Sequence, residues 1–145
     1  MSASSNYVEE RVLDFWLKNN SLTTTAPVTV HVALFNTDDS TGAVDQGGIT
    51  DDLESGTITA ECSGGSYSRQ AVTFGTITNG AVSNSGSLTW TTATDGNWGT
   101  ITHVAVMDAA SAGNVLFYGA LDTPREILQD DTFQITAGSL TITLA

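Results

Sequence analysis

The feature that most constrains this chain is a period-two alternation of aliphatic residues with Thr and Ser, broken at short intervals by Gly and Asn. Thr occurs 23 times in 145 residues. Successive side chains on an extended backbone point to opposite faces, so such runs form strands with one dry and one wet face. Val28 to Phe35 sets Val28, Val30, Val32 and Leu34 against Thr29, His31, Ala33 and Phe35. The same pattern predicts strands at Tyr67 to Phe74, Ser87 to Thr91, Thr100 to Met107, Asn114 to Leu121, Thr132 to Thr136 and Ser139 to Leu144. Thr57 to Glu61 and Ala81 to Ser83 are weaker candidates. Between these runs lie the turn signals Ser63-Gly64-Gly65-Ser66, Thr78-Asn79-Gly80, Asp95-Gly96-Asn97 and Ala112-Gly113-Asn114. Ala137-Gly138 predicts a bulge or tight bend rather than a full loop. Short strands at this spacing imply an all-β fold, an antiparallel β-sandwich of jelly-roll-like or Greek-key type with about eight strands.

One segment departs from period two. Residues 6–19 predict the only substantial helix, capped by Asn6 with Glu9 reaching back to it. Val8, Val12, Phe15 and Trp16 recur at helical spacing, and Leu13 and Leu17 widen the stripe. Two destinations are open to that stripe: the chain's own sheet, or a neighbouring subunit. In the second case Val8, Val12, Phe15 and Trp16 are assembly contacts. The length and an apolar fraction of 40% fit a single domain over residues 1–145, with a core large enough to hold it. A single cysteine, Cys62, allows no internal disulfide, which suits a reducing cytoplasm.

Charge excludes several partners. Sixteen acids face four bases, for a net charge of -12. Phosphate binding needs clustered Lys and Arg, so no nucleic-acid partner is expected, nor an anionic membrane surface. No apolar run approaches the ~20 residues that cross a bilayer. Met1 to Asn6 are polar and show no basic segment leading into an apolar one, so no secretory leader is expected.

Motifs for chemistry are missing from the sequence. There is no Gly-x-Ser-x-Gly elbow, no Gly-x-x-x-x-Gly-Lys loop and no Gly-x-Gly-x-x-Gly. Cys62 sits beside Ser63-Gly64-Gly65 with no base to lower its pKa, and reads as an inert thiol. His31 and His103 lie inside strands, as structural histidines do, and one Cys with two scattered His falls short of a zinc site. The acidic stretch Asn36 to Ser55 is the longest irregular segment, read as a loop. Asn36, Asp38 and Ser40 begin like a calcium loop, but Gly47 takes the place of the required Glu. An irregular loop calcium ion shared by Asp38, Asp39 and Asp51 is the one metal candidate left, and no cofactor is expected otherwise.

Arg69 stands inside a strand in a chain nearly devoid of bases. Its five donors demand a partner, and Glu61, across the Gly64-Gly65 turn, is the expected one, forming a structural clamp. Trp98, in Asp95-Gly96-Asn97-Trp98-Gly99, is the candidate for stacking on a sugar or packing on its own domain, whereas Trp90 reads as core.

These segments form an ordered series: the helix from Asn6 to Leu17; Val30-His31-Val32-Ala33-Leu34-Phe35; Glu61 followed by Gly64-Gly65-Ser66-Tyr67-Ser68-Arg69-Gln70-Ala71-Val72-Thr73-Phe74; Thr100 to Ala109; Leu116 to Leu121; and Asp131 to Ile135 with Ala137 to Ile142. In that order the chain resembles a family of small bacteriophage virion structural proteins, often labelled tail-fibre-like. The resemblance implies a place in the virion, assembly in the host cytoplasm, no enzymatic activity, and no catalytic residues. A chain this short and without repeats has no room for a fibre shaft. The expectation is therefore a capsid decoration, or cement, protein that forms a trimer or other cyclic homo-oligomer and contacts the major capsid protein. The alternatives are a tail- or neck-associated fibre-like protein, or a glycan-binding host-recognition module.

Overall fold

The computed structural model describes residues 3–21, 26–36, 48–91 and 97–144. In chain order these form β1 (Ala3–Ser4), α1 (Asn6–Lys18), β2 (Val30–Asn36), α2 (Gly48–Ser55), β3 (Gln70–Val72), β4 (Ala81–Ser83), β5 (Leu88–Thr91), β6 (Gly99–Met107), β7 (Val115–Ile127), β8 (Thr132–Ile135) and β9 (Thr141–Thr143). The fold is mostly β, and every pairing is antiparallel. A five-stranded sheet runs in the order β1-β7-β6-β2-β3, and two ribbons, β4-β9 and β5-β8, accompany it.

The sheet's central strands explain the layering. On β2, Val32 and Leu34 point into a core shared with Val104 and Val106 of β6, and with Trp90, Phe133, Ile135 and Ile142 of the ribbons. Ala33 and Phe35, on the other face, join Ala105 and Met107 against Ile49 and Leu53 of α2. Four consecutive residues of β2 are therefore buried, where strict alternation predicts a wet face. The difference traces to α2, which lies inside the stretch read as a continuous acidic loop. Only Ile49 and Leu53 mark it, one helical turn apart, too short a pattern to register against the surrounding acids.

Strand limits differ where turns intrude. The run from Tyr67 to Phe74 pairs as a strand only over Gln70–Val72. Thr57 to Glu61 forms no strand; Glu61 alone makes an isolated bridge to Phe35. Conversely, β7 continues well past Leu121 to Ile127. Between Ile101↔Arg125 and His103↔Ala120, β6 advances two residues while β7 advances five, so β7 bulges around Asp122 to Pro124. The Ala137-Gly138 pair makes a tight turn, with Ser139 N–H bonded to Thr136 O at 3.1 Å and Gly138 at φ 83°.

The helix begins at Asn6, as predicted, but its cap lies one residue earlier. Ser5, not Asn6, is the N-cap, and its side chain makes no cap bond. Ser5 is fully buried, and its hydroxyl donates instead to Val115 O while its amide donates to Leu116 O. Ser4 Oγ, rather than Asn6, meets Glu9 Oε1 at 2.8 Å. The N-terminal strand thus pins the start of α1 to β7. The helix ends at Lys18, with Asn19 left-handed as the C-cap.

One polar residue joins the two ribbons. Asn84 is buried, and its Nδ2 donates to Gly86 O (2.8 Å) and Thr136 O (3.0 Å) while its Oδ1 accepts Leu140 N–H (2.9 Å). Its own amide donates to Leu140 O and its carbonyl accepts Gly138 N–H. The side chain therefore does between β4-β9 and β5-β8 what ladder bonds do within a sheet. Asn84→Ala strands these buried groups, and unfolding in urea should show a loss of about 2–4 kcal/mol, with no change in secondary structure before the transition.

Candidate functional site

The Gly64-Gly65 turn, with both residues at positive φ, reverses the chain so that Glu61 and Arg69 face each other. The pair is bidentate: Arg69 Nε donates to Glu61 Oε1 at 2.8 Å and Nη2 to Oε2 at 2.7 Å. Arg69 Nη1 reaches further, to Ala109 O (2.9 Å) and Ala112 O (2.6 Å). These carbonyls belong to the turn between β6 and β7, where Asp108 accepts Asn114 N–H and Nδ2–H, each at 2.7 Å. Gly113 is required there: at φ 76° a Cβ would lie 2.3 Å from Asp108 Oδ1. Tyr67 completes the network, donating to Glu61 Oε1 (3.0 Å) and accepting Leu34 N–H (2.9 Å).

The electrostatics are those of a closed structural network. The hydrogen bond to Glu61 holds the Arg69 guanidinium pKa above its ordinary value, against the opposing effect of burial. Burial first, and then the Glu61 charge, pushes the Tyr67 phenol well above its usual range. Both Glu61 oxygens are occupied by donors of the protein itself. Sequence reasoning identified the two charged residues. Tyr67 and the two turn carbonyls, brought in by tertiary packing, carried no signal of their own.

The other candidate residues lie apart from one another. Cys62 is buried, with Sγ 3.5 Å from Trp98 O and 3.8 Å from Asn36 Nδ2. Burial pushes its thiol up to about 11, partly offset by the Asn36 amide. His103 meets Thr50 Oγ1 at 3.3 Å through Nε2, and burial lowers its pKa. His31 is half-buried on β2 opposite Met107. Asp51 lies on α2, while Asp38 and Asp39 of the calcium reading fall outside the described residues. Among the described residues no three His, Cys, Asp or Glu side chains group to hold a metal.

Trp98 corrects the sugar-stacking expectation. It is 2% exposed and packs edge-to-face on Tyr67, with ring centroids 5.5 Å apart. Its amide donates to Ile127 O, so the end of β7 draws the ring inward and leaves no face for a sugar. Trp90 is core as predicted, against Phe133.

Two surface features remain. A groove of about 430 Å³ runs between β7 and the β8–β9 turn, bordered by Phe117, Asp122, Arg125, Gln134, Thr136 and Ser139. The second is α1, of which no residue is buried. One side of it, with Val8, Val12, Phe15 and part of Trp16, borders an open hollow of about 490 Å³ whose far wall includes Leu116 and Pro27. Arg11 lies in that hollow with its guanidinium 4.1 Å over the Tyr7 ring. Trp16 is 75% and Leu17 77% exposed, and Leu13, Val12 and Phe15 are also open. Phe15 and Trp16 stack edge-to-face at 5.3 Å.

The described residues thus form a β-rich scaffold braced by an internal ion pair and carrying a helix with open apolar side chains. The chain belongs to the family of the podophage GP4 fiber I protein gp80, whose family model matches residues 3–143. It is thus a phage virion structural protein of fibre-like type, located in the virion in association with other virion proteins. No curated protein matches the sequence.

Two outcomes follow from this geometry. Arg69→Ala leaves the Glu61 carboxylate unpaired in a mostly buried position and should cost about 3–5 kcal/mol in chemical denaturation; Arg69→Lys, unable to form the fork, should recover only part of it. For Cys62, the folded-state pKa lies above the unfolded one, so its contribution to stability is full below about pH 9. That contribution, on the order of 2–3 kcal/mol, should drain away as pH rises toward about 11. In Cys62→Ala the alkaline decline in stability should be shallower by that amount, read from urea midpoints across the pH series.

Proposed function

We propose that this chain is a non-enzymatic structural subunit, acting as one folded unit, held on the phage particle through the apolar face of α1. The single observation that carries the reading is the exposure of Trp16 and Leu17 on a helix with no buried residue, next to open Leu13, Val12 and Phe15. An exposed cluster of this size marks a contact surface. The helix is firmly placed for such work, because Ser5 and β1 fix its first turn to β7. Of the two destinations left open by the sequence, this favours the neighbouring subunit.

The non-enzymatic reading is supported, among the described residues, by the occupied state of these groups. Glu61 and Arg69 are held in one structural network, and Cys62 stays protonated at neutral pH in a buried site. The glycan-recognition reading loses its aromatic platform with Trp98 inside the core.

On the particle, the family description supports a fibre-type position, and capsid decoration is the other version. Self-association as a trimer or other cyclic oligomer belongs to either version. The far end of β7 is poorly suited to making such contacts by strand addition. Beyond Tyr118, β1 no longer covers it, but Pro124 removes a donor there and the bulge breaks the register.

Counting copies in purified particles by quantitative mass spectrometry separates the positions: hundreds of copies indicate decoration of the head, a handful indicate the tail or neck. In either case, particles grown with Trp16→Glu and Leu17→Glu should carry about tenfold fewer copies, although the isolated variant folds normally. Normal incorporation of that variant would disprove attachment through α1.

A further inference from the structure

The α1 face has a chemistry beyond its apolarity. Glu10 precedes Leu13 by three positions and Asp14 precedes Leu17 by three, so these acids run along the edge of the exposed apolar row. Glu9 stands one turn before Leu13, on the same side. Of the two basic residues in the helix, Lys18 is tied to Asp14 at 2.7 Å and Arg11 is folded over Tyr7 within the hollow. The outward apolar surface is thus edged by carboxylates, on a chain whose net charge is -12.

We infer that α1 docks into an apolar groove with a basic rim on a different protein of the particle, and not onto a second copy of this chain. The inference rests on the attachment reading above and adds the partner's chemistry. Two arguments support it. The first is area: the exposed parts of Val12, Leu13, Phe15, Trp16 and Leu17 amount to roughly 550 Å², near the low end of what one partner brings to a standard interface, ~600 Å². A helix laid in a groove with Trp16 as its anchor uses such an area fully. The second is charge. A second copy would bring the same Glu9 and Glu10 to the seam, Asp14 being neutralised by Lys18, whereas Lys and Arg around a groove complement them and steer the encounter. An anionic lipid surface is disfavoured for the same reason as a second copy.

The test uses particles assembled without this protein, to which the purified full chain is added. Bound copies are measured across NaCl from about 50 mM to about 500 mM, where screening becomes strong. Wild type should rebind, with apparent affinity falling about tenfold or more over that range. Glu9→Gln with Glu10→Gln should weaken rebinding at low salt several-fold and flatten its salt dependence. Trp16→Ala with Leu17→Ala should abolish rebinding while leaving the oligomeric state of the free protein, measured by sedimentation, as in wild type. Salt-independent rebinding overturns the basic-rim inference but leaves attachment through α1 standing. A change in oligomeric state in the Trp16 and Leu17 variant overturns it in favour of a second copy. Rebinding of that variant equal to wild type removes the attachment reading together with the inference.

Discussion

Burial of β2 and β6 on both faces is the constraint around which the rest of the molecule is arranged. Val32 and Leu34 must be covered on one side and Ala33 and Phe35 on the other, yet the chain has too few strands to build two complete sheets over them. The ribbons β4-β9 and β5-β8 cover one face and α2 the other. Because the ribbons share no ladder bonds with each other, Asn84 joins them through its side chain and backbone. Polar groups buried in such a seam remain only because each has a partner.

The same layering accounts for Arg69. A guanidinium this buried would be prohibitive without partners, and four hydrogen bonds to Glu61, Ala109 and Ala112 supply them. The pair links the segment before β3 to the turn joining β6 and β7, two places that no ladder connects. Its contribution is to specify that arrangement more than to add net stability, since replacing a buried ion pair with apolar groups is often neutral. The clamp and α1 are neighbours through this turn, because Asp108 also borders the hollow beside α1. A rigid turn gives the helix a fixed support.

Legibility in the sequence followed how local each signal was. The strand runs, their Gly and Asn turns and the α1 stripe are written in contiguous residues, and all the strand runs but Thr57 to Glu61 were found, with shifts at the ends; of the turns, Asp95-Gly96 lies outside the described residues. The Glu61–Arg69 pair was legible because a glycine turn lies between the two and a chain so poor in bases gives an internal Arg few other uses. By contrast α2, marked only by Ile49 and Leu53, and the role of Asn84 depend on surfaces assembled from distant segments. Trp98 stayed open between a sugar and its own domain because its neighbours have loop composition, while its burial is decided by Ile127 and Tyr67, far away in sequence.

Taken alone, the sequence determined the all-β class, the single long helix, the acidic surface and the pairing of its one internal arginine, because periodicity, charge and turn chemistry act over a few neighbouring residues. Tertiary structure alone decided which faces of those elements are covered. It closed both sides of β2, drew Trp98 inside, and left Trp16 and Leu17 in the open. Burial is a property of what the rest of the chain can reach, and here it does not extend over α1.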